Sequence, residues 1–302
     1  MANSKFHIST LYRCAAALLC VYFLCACRPT EVEQPTLVVE GWIDADQHPV
    51  VLLHTTYPLN NDKDTFHTLA ESIPEHIITF GRVVLYDGSD SVILTGRVDT
   101  NYMPPYIYTS VFMKGEIGKT YRLRASYKNY SATATTCIPS VPTLDSIFVR
   151  VKDSLNTQIF GYCSHLIPGE HYLVMVKKAD GSQYSFCPMG VFEAQKEQMR
   201  IDIRNPLNFG SRNSLGAGNG SSLFFPKTDS VRIGIKFAHI GADEYRCWDS
   251  LGAQSMTQGV FFVETHKNIE TNIIGGLGYW CGMGAAEYVV SIDHTEIYRY
   301  TK

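Results

Sequence analysis

The chain has 302 residues, of which 45% are hydrophobic and 18% charged, and its formal net charge is −3. The hydrophobic content supports a real core, and the length that follows residue 27 suits one large or two ordinary domains. Positive and negative residues are interspersed, which argues against a nucleic-acid-binding face or another polyanionic partner.

The first 27 residues have the features of a secretory signal peptide. Lys5 and Arg13 supply positive charge, and residues 14–24 form an uncharged apolar run. A transmembrane helix needs about 20 apolar residues, so this run has the length of a signal-peptide core. It ends at Leu24-Cys25-Ala26-Cys27, which looks like a lipobox. We predict a lipid on Cys27; the alternative is an ordinary signal peptide in which the cysteines fall by chance.

Residues 28–36 predict a short tether, because they contain two prolines, two glutamates and no apolar run. Several acyl chains, at about 0.8 kcal/mol per buried methylene, would hold the protein permanently on a membrane. The acidic residues Glu31 and Glu33 loosely resemble the export signals of surface lipoproteins, which leaves open the face of the membrane on which the protein lies.

Residues 37–142 read as a first β domain. Strands are predicted at residues 37–43, 50–56, 82–86, 91–94, 121–127 and 130–137, because these stretches are β-branched or alternate in polarity. Asp87-Gly88 predicts a tight hairpin turn, since such turns need positive φ. Residues 57–76 have few strand formers and predict a long loop. Two prolines in Ile138–Pro142 end the domain.

Residues 143–302 read as a second β domain. Strands are predicted at residues 146–151, 171–177, 183–187, 198–203, 230–238, 259–264, 269–274 and 286–299. Residues 242–256 predict a helix, with acidic residues in the first turn and apolar residues at helical spacing. Asn205–Ser222, rich in Gly, Asn and Ser, predicts either a mobile loop or a binding loop.

Several short blocks, in this order, resemble a known family. They are Leu37-Val38-Val39-Glu40-Gly41-Trp42-Ile43, Val83-x-Leu85-Tyr86-Asp87-Gly88, residues 115–123, Ile138-Pro139 with residues 144–147, and residues 272–279. Together they resemble the Bacteroidetes lipoproteins grouped as domain-of-unknown-function family 4249. One departure is residues 244–248, where a Tyr-rich stretch is expected.

The resemblance implies a location in the cell envelope, at the outer membrane, alongside TonB-dependent receptors, and it supplies no catalytic residues. The N-terminal block also resembles a prealbumin-like sandwich. We therefore predict a mainly β fold, in which a prealbumin- or immunoglobulin-like sandwich is followed by a second antiparallel β domain carrying one helix.

Motifs for catalysis and metal binding are missing from the sequence. There is no HExxH spacing and no GxSxG elbow, and a Cys/His pair built from Cys163 or Cys187 with His165 or His171 is a weak pattern. We predict no enzyme activity, catalytic residue, metal or cofactor. Five cysteines follow the anchor, at positions 137, 163, 187, 247 and 281, and they predict either one or two disulfides or buried free thiols.

Gly275-Gly276-Leu277-Gly278 lacks the spacing of a phosphate-binding loop. We predict that these glycines serve the backbone, through positive φ, a bulge or a close approach of strands. Tyr279 and Trp280 beside them predict either a rim that stacks on a sugar or partner, or core packing over the glycines.

Asp-Ser followed by an aliphatic residue occurs five times and looks like an O-glycosylation sequon of envelope proteins. The alternative is turn chemistry, because Asp-Ser often ends a loop just before a strand. The candidate acceptors are Ser91, Ser146, Ser154, Ser230 and Ser250.

The functional prediction is a non-catalytic envelope lipoprotein that docks on, or presents ligand to, an outer-membrane transport complex. Two alternatives stay open. A structural or adhesive surface protein would exchange strands through an exposed sheet edge. A hydrolase acting on carbohydrate or peptide would need a cleft with convergent polar groups.

Overall fold

The protein is mainly β, as predicted. The computed structural model describes residues 35–56, 76–88, 90–102, 104–153, 156–179, 183–206, 223–226, 231–257, 269–292 and 298–300. The strands of the first half are β1 (Leu37–Asp44), β2 (Val50–Thr55), β3 (Arg82–Asp87), β4 (Asp90–Val98), β5 (Tyr106–Thr109), β6 (Thr120–Tyr127) and β7 (Tyr130–Cys137). The later elements are β8 (Ser146–Val151), β9 (Asn156–Cys163), β10 (His171–Lys178), β11 (Ser185–Glu193), β12 (Met199–Ile203), β13 (Phe225–Pro226), β14 (Val231–Ile240), helix α1 (Ala242–Thr257), β15 (Leu277–Ile292) and β16 (Tyr298–Tyr300).

The strands form a large sheet and a small one. The large sheet has eleven strands in the order β11-β10-β14-β15-β1-β2-β5-β4-β3-β6-β7. The small sheet has the order β12-β9-β8-β16, and β13 also pairs with β9. Strands β1 and β15 pair in parallel, whereas the other described strand pairs of the large sheet are antiparallel.

The first core is formed by side chains from the N-terminal strands of the large sheet. Alternate residues of β1 point into it, including Leu37, Val39 and Ile43, and β6 contributes Tyr121 and Leu123 in the same alternating way. The indole of Trp280, from the late strand β15, is fully buried in this core. A residue from the C-terminal part therefore completes the core of the predicted first domain.

The second core lies between the other half of the large sheet and the small sheet. Tyr172, Val174 and Val176 on β10 face Ile147 and Val149 of the small-sheet strand β8 within one buried cluster. The residues between them on β10, Leu173 and Met175, point to the opposite face and pack in the cluster of Trp248 on α1. At β10, one face of the large sheet therefore packs on the small sheet, and the opposite face packs on α1.

Strand β15 explains why both predicted domains belong to one compact unit, Thr36–Lys302. It pairs with β14 on one side and with β1 on the other, from Val38 opposite Leu277 to Asp44 opposite Met283. The boundary predicted after residue 142 lies between β7 and β8. The later strand β15 nevertheless pairs with β1, which belongs to the first half.

The prediction that residues 275–278 serve the backbone is confirmed. Gly278 has a φ of +101°, and a Cβ built there would lie 2.0 Å from the carbonyl oxygen of Val39. A side chain at this position would therefore collide with β1, because the two parallel strands approach each other too closely to leave room for it.

Thr136 connects β7, β15 and α1. Its Oγ1 accepts a hydrogen bond from the backbone N–H of Gly282 at 2.7 Å and donates one to Oε1 of Glu244 at 2.5 Å. Glu244 lies in the first turn of α1 and is 5% exposed. Burial raises the pKa of the Glu244 carboxyl, an effect that the hydrogen bond from Thr136 partly opposes.

Some predicted elements differ from the structure. Residues 269–274 are not a strand apart from a bridge between Ile274 and Thr133. Instead, the Asn272 side chain bonds both backbone groups of Trp280, at 2.9 Å to its N–H and 2.8 Å to its carbonyl oxygen. Strands β5 and β9 were not predicted. Strand β15 begins at Leu277 rather than at residue 286, so its first nine residues were not predicted either.

The helix and the hairpin predicted at Asp87-Gly88 are confirmed, with Gly88 at a φ of +59°. The predicted strand at 259–264 and most of the predicted loops at 57–76 and 205–222 lie outside the described residues. Within the described part of the chain, α1 and the other helical residues offer no segment long and apolar enough to cross a membrane.

Candidate ligand-binding cavity

A cavity of about 520 Å³ opens on the large sheet, on the face that carries α1. On β1 its lining residues Glu40, Trp42 and Asp44 alternate with residues of the first core. On β10 the lining residues Met175 and Lys177 alternate with residues of the second core. Because successive side chains of a strand point to opposite faces, the cavity lies across the junction of the two halves, back to back with both cores.

A buried ion pair forms part of the lining. The Lys236 ammonium on β14 pairs with Oδ2 of Asp44 on β1, across the intervening strand β15. Their side chains are 7% and 9% exposed. The second carboxylate oxygen of Asp44, Oδ1, has no hydrogen-bond partner among the described residues. This atom is closed to solvent, so it is a local cost of the fold and is not open to the cavity.

Tyr184 orders the cations at one side of the cavity. Its hydroxyl donates to Oε2 of Glu287 at 2.8 Å, and its ring centroid lies 4.3 Å from Nζ of Lys177 and 5.2 Å from Nζ of Lys236. These are cation–π distances. Burial, and then the hydrogen bond to Glu287, raise the pKa of the Tyr184 hydroxyl, so it stays a neutral donor.

Aromatic rings form two walls. In the first wall the Trp42 and Tyr102 ring centroids are 6.0 Å apart. In the second wall Trp248 of α1 lies 4.9 Å from Phe186 and 4.7 Å from Tyr279, and Trp42 also packs against this cluster. Such rings give a large apolar surface with a fixed orientation, which is typical of small-molecule sites.

The charges of the lining balance. Among the described lining residues, three acids, Glu40, Asp44 and Glu287, stand against three bases, Arg97, Lys177 and Lys236. The outer charges also have neighbours of their own. Glu40 lies 3.5 Å from His54, and Arg97 lies 3.1 Å from Asp99. The cavity therefore carries polar groups without a strong excess of either sign.

The structure separates the two predicted rim residues. Tyr279 lines the cavity, half-buried, whereas Trp280 is fully buried in the first core. The Trp280 indole N–H donates to the carbonyl oxygen of Tyr121 at 3.1 Å. The rim role predicted for Trp280 is wrong, and its core alternative is what the structure shows, because adjacent residues of a strand face opposite sides.

The candidate glycosylation sites lie in different surroundings. Ser91 on β4 is exposed, so it stays a prediction. Ser146 is 5% exposed, so a glycan on it would not fit the folded protein. The Ser250 hydroxyl donates to the Cys247 carbonyl oxygen and accepts from the N–H of Glu270, both at 2.9 Å. Ser154, Ser230 and the predicted lipidation site Cys27 lie outside the described residues.

The cysteines and histidines do not form an activated pair. The five described cysteines are free thiols, and four of them are buried. Burial raises the pKa of the Cys163 thiol, which is the opposite of what a nucleophilic cysteine needs. In the described ranges no group of three or more His, Cys, Asp or Glu side chains is placed to hold a metal ion.

His239 lies between Ser140 and Glu170 and superficially suggests a catalytic triad. Its Nδ1 is 3.4 Å from the Ser140 hydroxyl and 3.3 Å from the Ser140 carbonyl oxygen, and its Nε2 is 3.4 Å from Glu170. All three contacts are 3.3 Å or longer, and Nδ1 divides its approach between the hydroxyl and the carbonyl oxygen of the same residue. The geometry is therefore looser than the nucleophile–base contact of about 2.6–3.2 Å that a catalytic triad uses.

Sequence reasoning missed most of the cavity, since its residues come from distant strands. One signal was available. Lys236 is the one lysine or arginine within Ile233–Ile240, where the other residues apart from His239 are apolar, and a lysine in a buried strand needs a partner. The partner, Asp44, lies 192 positions away.

A family model described as "Domain of unknown function (DUF4249)" matches residues 28–288. The chain belongs to the DUF4249 family. The matched range of this DUF4249 member contains every residue that lines the cavity and nearly all of both cores. No curated protein matches the sequence.

Proposed function

We propose that this DUF4249 protein is a non-catalytic ligand-binding module of the cell envelope, held at the outer membrane by a lipid on Cys27. The observation that carries the binding role is the cavity lining, which combines the Lys236–Asp44 pair with aromatic rings. A buried ion pair is often no more stabilising than well-packed apolar residues. Its presence in a cavity is better explained by a ligand than by stability.

The other polar groups of the lining are held in fixed positions. The Tyr184 hydroxyl donates to the Glu287 carboxylate, and Lys236 pairs with Oδ2 of Asp44. Side chains that are fixed by neighbours in this way are suited to orient a ligand.

A thermal-shift screen with a chemically broad library of small molecules tests the binding role. We expect at least one class to raise the melting temperature of the wild-type protein, since a ligand that binds only the folded state stabilises it. The shift should disappear in Trp42→Ala and persist in Phe148→Ala. Phe148 is a matched control, because it packs on Phe160 at 5.3 Å on the outer face of the small sheet. Shifts that survive in Trp42→Ala would refute a site in this cavity.

The envelope location is supported by the lipobox-like sequence before Cys27. Radiolabelled fatty acid should appear on the protein made in its native host. The Cys27→Ser variant should lose both the label and its membrane attachment. Attachment that is unchanged in this variant would contradict the proposed anchor.

We further propose that the module serves an outer-membrane transport complex. Exposed apolar side chains beside the cavity support a protein partner. Val111 lines the cavity and is 71% exposed, and the adjacent Phe112 is 88% exposed. Co-purification in mild detergent should recover a membrane partner, and Phe112→Ser should weaken that recovery. Isolation of the lipoprotein alone, under conditions that preserve other envelope complexes, would count against this role.

A further inference from the structure

The charge pattern of the cavity favours an uncharged ligand. The three acidic and three basic lining residues balance, and its two most buried charges, on Asp44 and Lys236, neutralise each other. An anion or a cation would gain from one set of charges and lose against the other, and it would also lose its hydration. A neutral ligand avoids this loss.

The polar atoms favour a ligand that donates hydrogen bonds from hydroxyl groups. The lining offers Gln47 and Gln183, whose side-chain amides both donate and accept. A ligand with many hydroxyl groups matches these atoms, because each hydroxyl donates once and accepts as well.

The aromatic walls favour a ligand with apolar faces. Trp42 and Tyr102 form one wall, and Trp248 with Tyr279 forms the other. A pyranose ring has apolar C–H faces and a rim of hydroxyl groups. It can therefore pack flat on an aromatic ring while its hydroxyl groups reach the side-chain amides of Gln47 and Gln183. Among common neutral ligands, carbohydrates combine both properties.

We propose that the cavity binds a neutral carbohydrate of one or two sugar rings, with the Gln47 and Gln183 amides hydrogen-bonding to sugar hydroxyls and Tyr102 and Trp42 packing on a ring face. The assignment rests on the proposed binding function and adds the ligand class. A volume of about 520 Å³ lies within the range of small-molecule sites, roughly 300–1,000 Å³.

Intrinsic fluorescence tests the proposal, because the chain has three tryptophans in informative places. Trp42 and Trp248 line the cavity, and Trp280 is sealed in the first core. The purified full-length protein is titrated with glucose, galactose, mannose, N-acetylglucosamine, maltose and cellobiose, and in parallel with glycine, glycylglycine and dialanine. We expect a saturable fluorescence change with at least one saccharide and none with the amino acid or peptides.

Variants locate the binding. Tyr102→Ala should weaken saccharide binding by roughly tenfold, and Tyr102→Phe, which keeps the ring, should retain it. The double variant Gln47→Ala/Gln183→Ala removes both side-chain amides, and it should weaken binding by about tenfold to a hundredfold. Phe148→Ala should bind like the wild type. Circular dichroism checks that each variant is folded.

Three outcomes would overturn the assignment. The first is that no saccharide changes the fluorescence. The second is that saccharide binding is unaffected in Tyr102→Ala and in the double variant. The third is that only the peptides or glycine bind, with an affinity that falls in Tyr102→Ala. This third outcome would leave the proposed binding function standing and show that the ligand class is wrong.

Discussion

Removal of the Asp44 carboxylate should destabilise the protein strongly. In Asp44→Ala the Lys236 ammonium would lose its ion-pair partner. Lys236 lies on β14, the strand between β10 and β15, and its side chain is only 7% exposed. Loss of one member of a buried pair typically costs about 3–5 kcal/mol, since the remaining charge is neither hydrated nor paired. This is a large share of the roughly 5–15 kcal/mol by which folded proteins are stable.

Urea unfolding followed by circular dichroism measures the effect. At a slope of roughly 3 kcal/mol per molar, a loss of about 4 kcal/mol lowers the unfolding midpoint by about 1.3 M. The control is Arg246→Ala, which removes an ion pair to Asp243 whose side chains are 61% and 64% exposed. An exposed pair contributes at most about 1 kcal/mol, so the midpoint of this variant should stay close to the wild-type value.

The double variant Asp44→Leu/Lys236→Met separates charge from packing. It should recover most of the lost stability, because it leaves no unpaired charge in the buried site. A midpoint for Asp44→Ala equal to that of Arg246→Ala would refute the burial of the pair. A double variant as unstable as Asp44→Ala would show that the loss comes from packing and not from the lone ammonium.

Three further substitutions test other parts of the fold by the same urea assay. Glu244→Gln should be more stable than the wild type at pH 8. Burial raises the folded pKa of Glu244 above its ordinary value of 4.5, so the wild-type protein loses stability as the pH rises through this range. The advantage of Gln should therefore vanish as the pH falls toward 4.5. Trp280→Ala should cost about 3–5 kcal/mol, and a smaller effect than that of Tyr102→Ala would contradict its core position. Gly278→Ala should destabilise far more than Gly88→Ala, which has open space around its Cβ and should cost about 1–2 kcal/mol; equal effects would argue against the close approach of β1 and β15.

The sequence by itself determined the local elements wherever a local rule acts. Asp87-Gly88 predicted the β3–β4 hairpin, alternating polarity predicted β6 and β7, and the acidic first turn predicted the helix at Ala242–Thr257. These features depend on residues close together in the chain, whose propensities and turn chemistry can be read from a short window. The order of short blocks along the chain was enough to recognise the family, which the match over residues 28–288 shows.

The tertiary structure alone decided which residues meet. Whether Trp280 or Tyr279 faces the cavity depends on the register in which β15 pairs with β1, because a shift by one residue exchanges the two faces and a short sequence does not fix the register. The partnership of Lys236 with Asp44 likewise requires β14, β15 and β1 to lie side by side, although they are far apart in the chain. Long-range strand pairing therefore created the cavity, because it brings together side chains for which no local pattern carries the information.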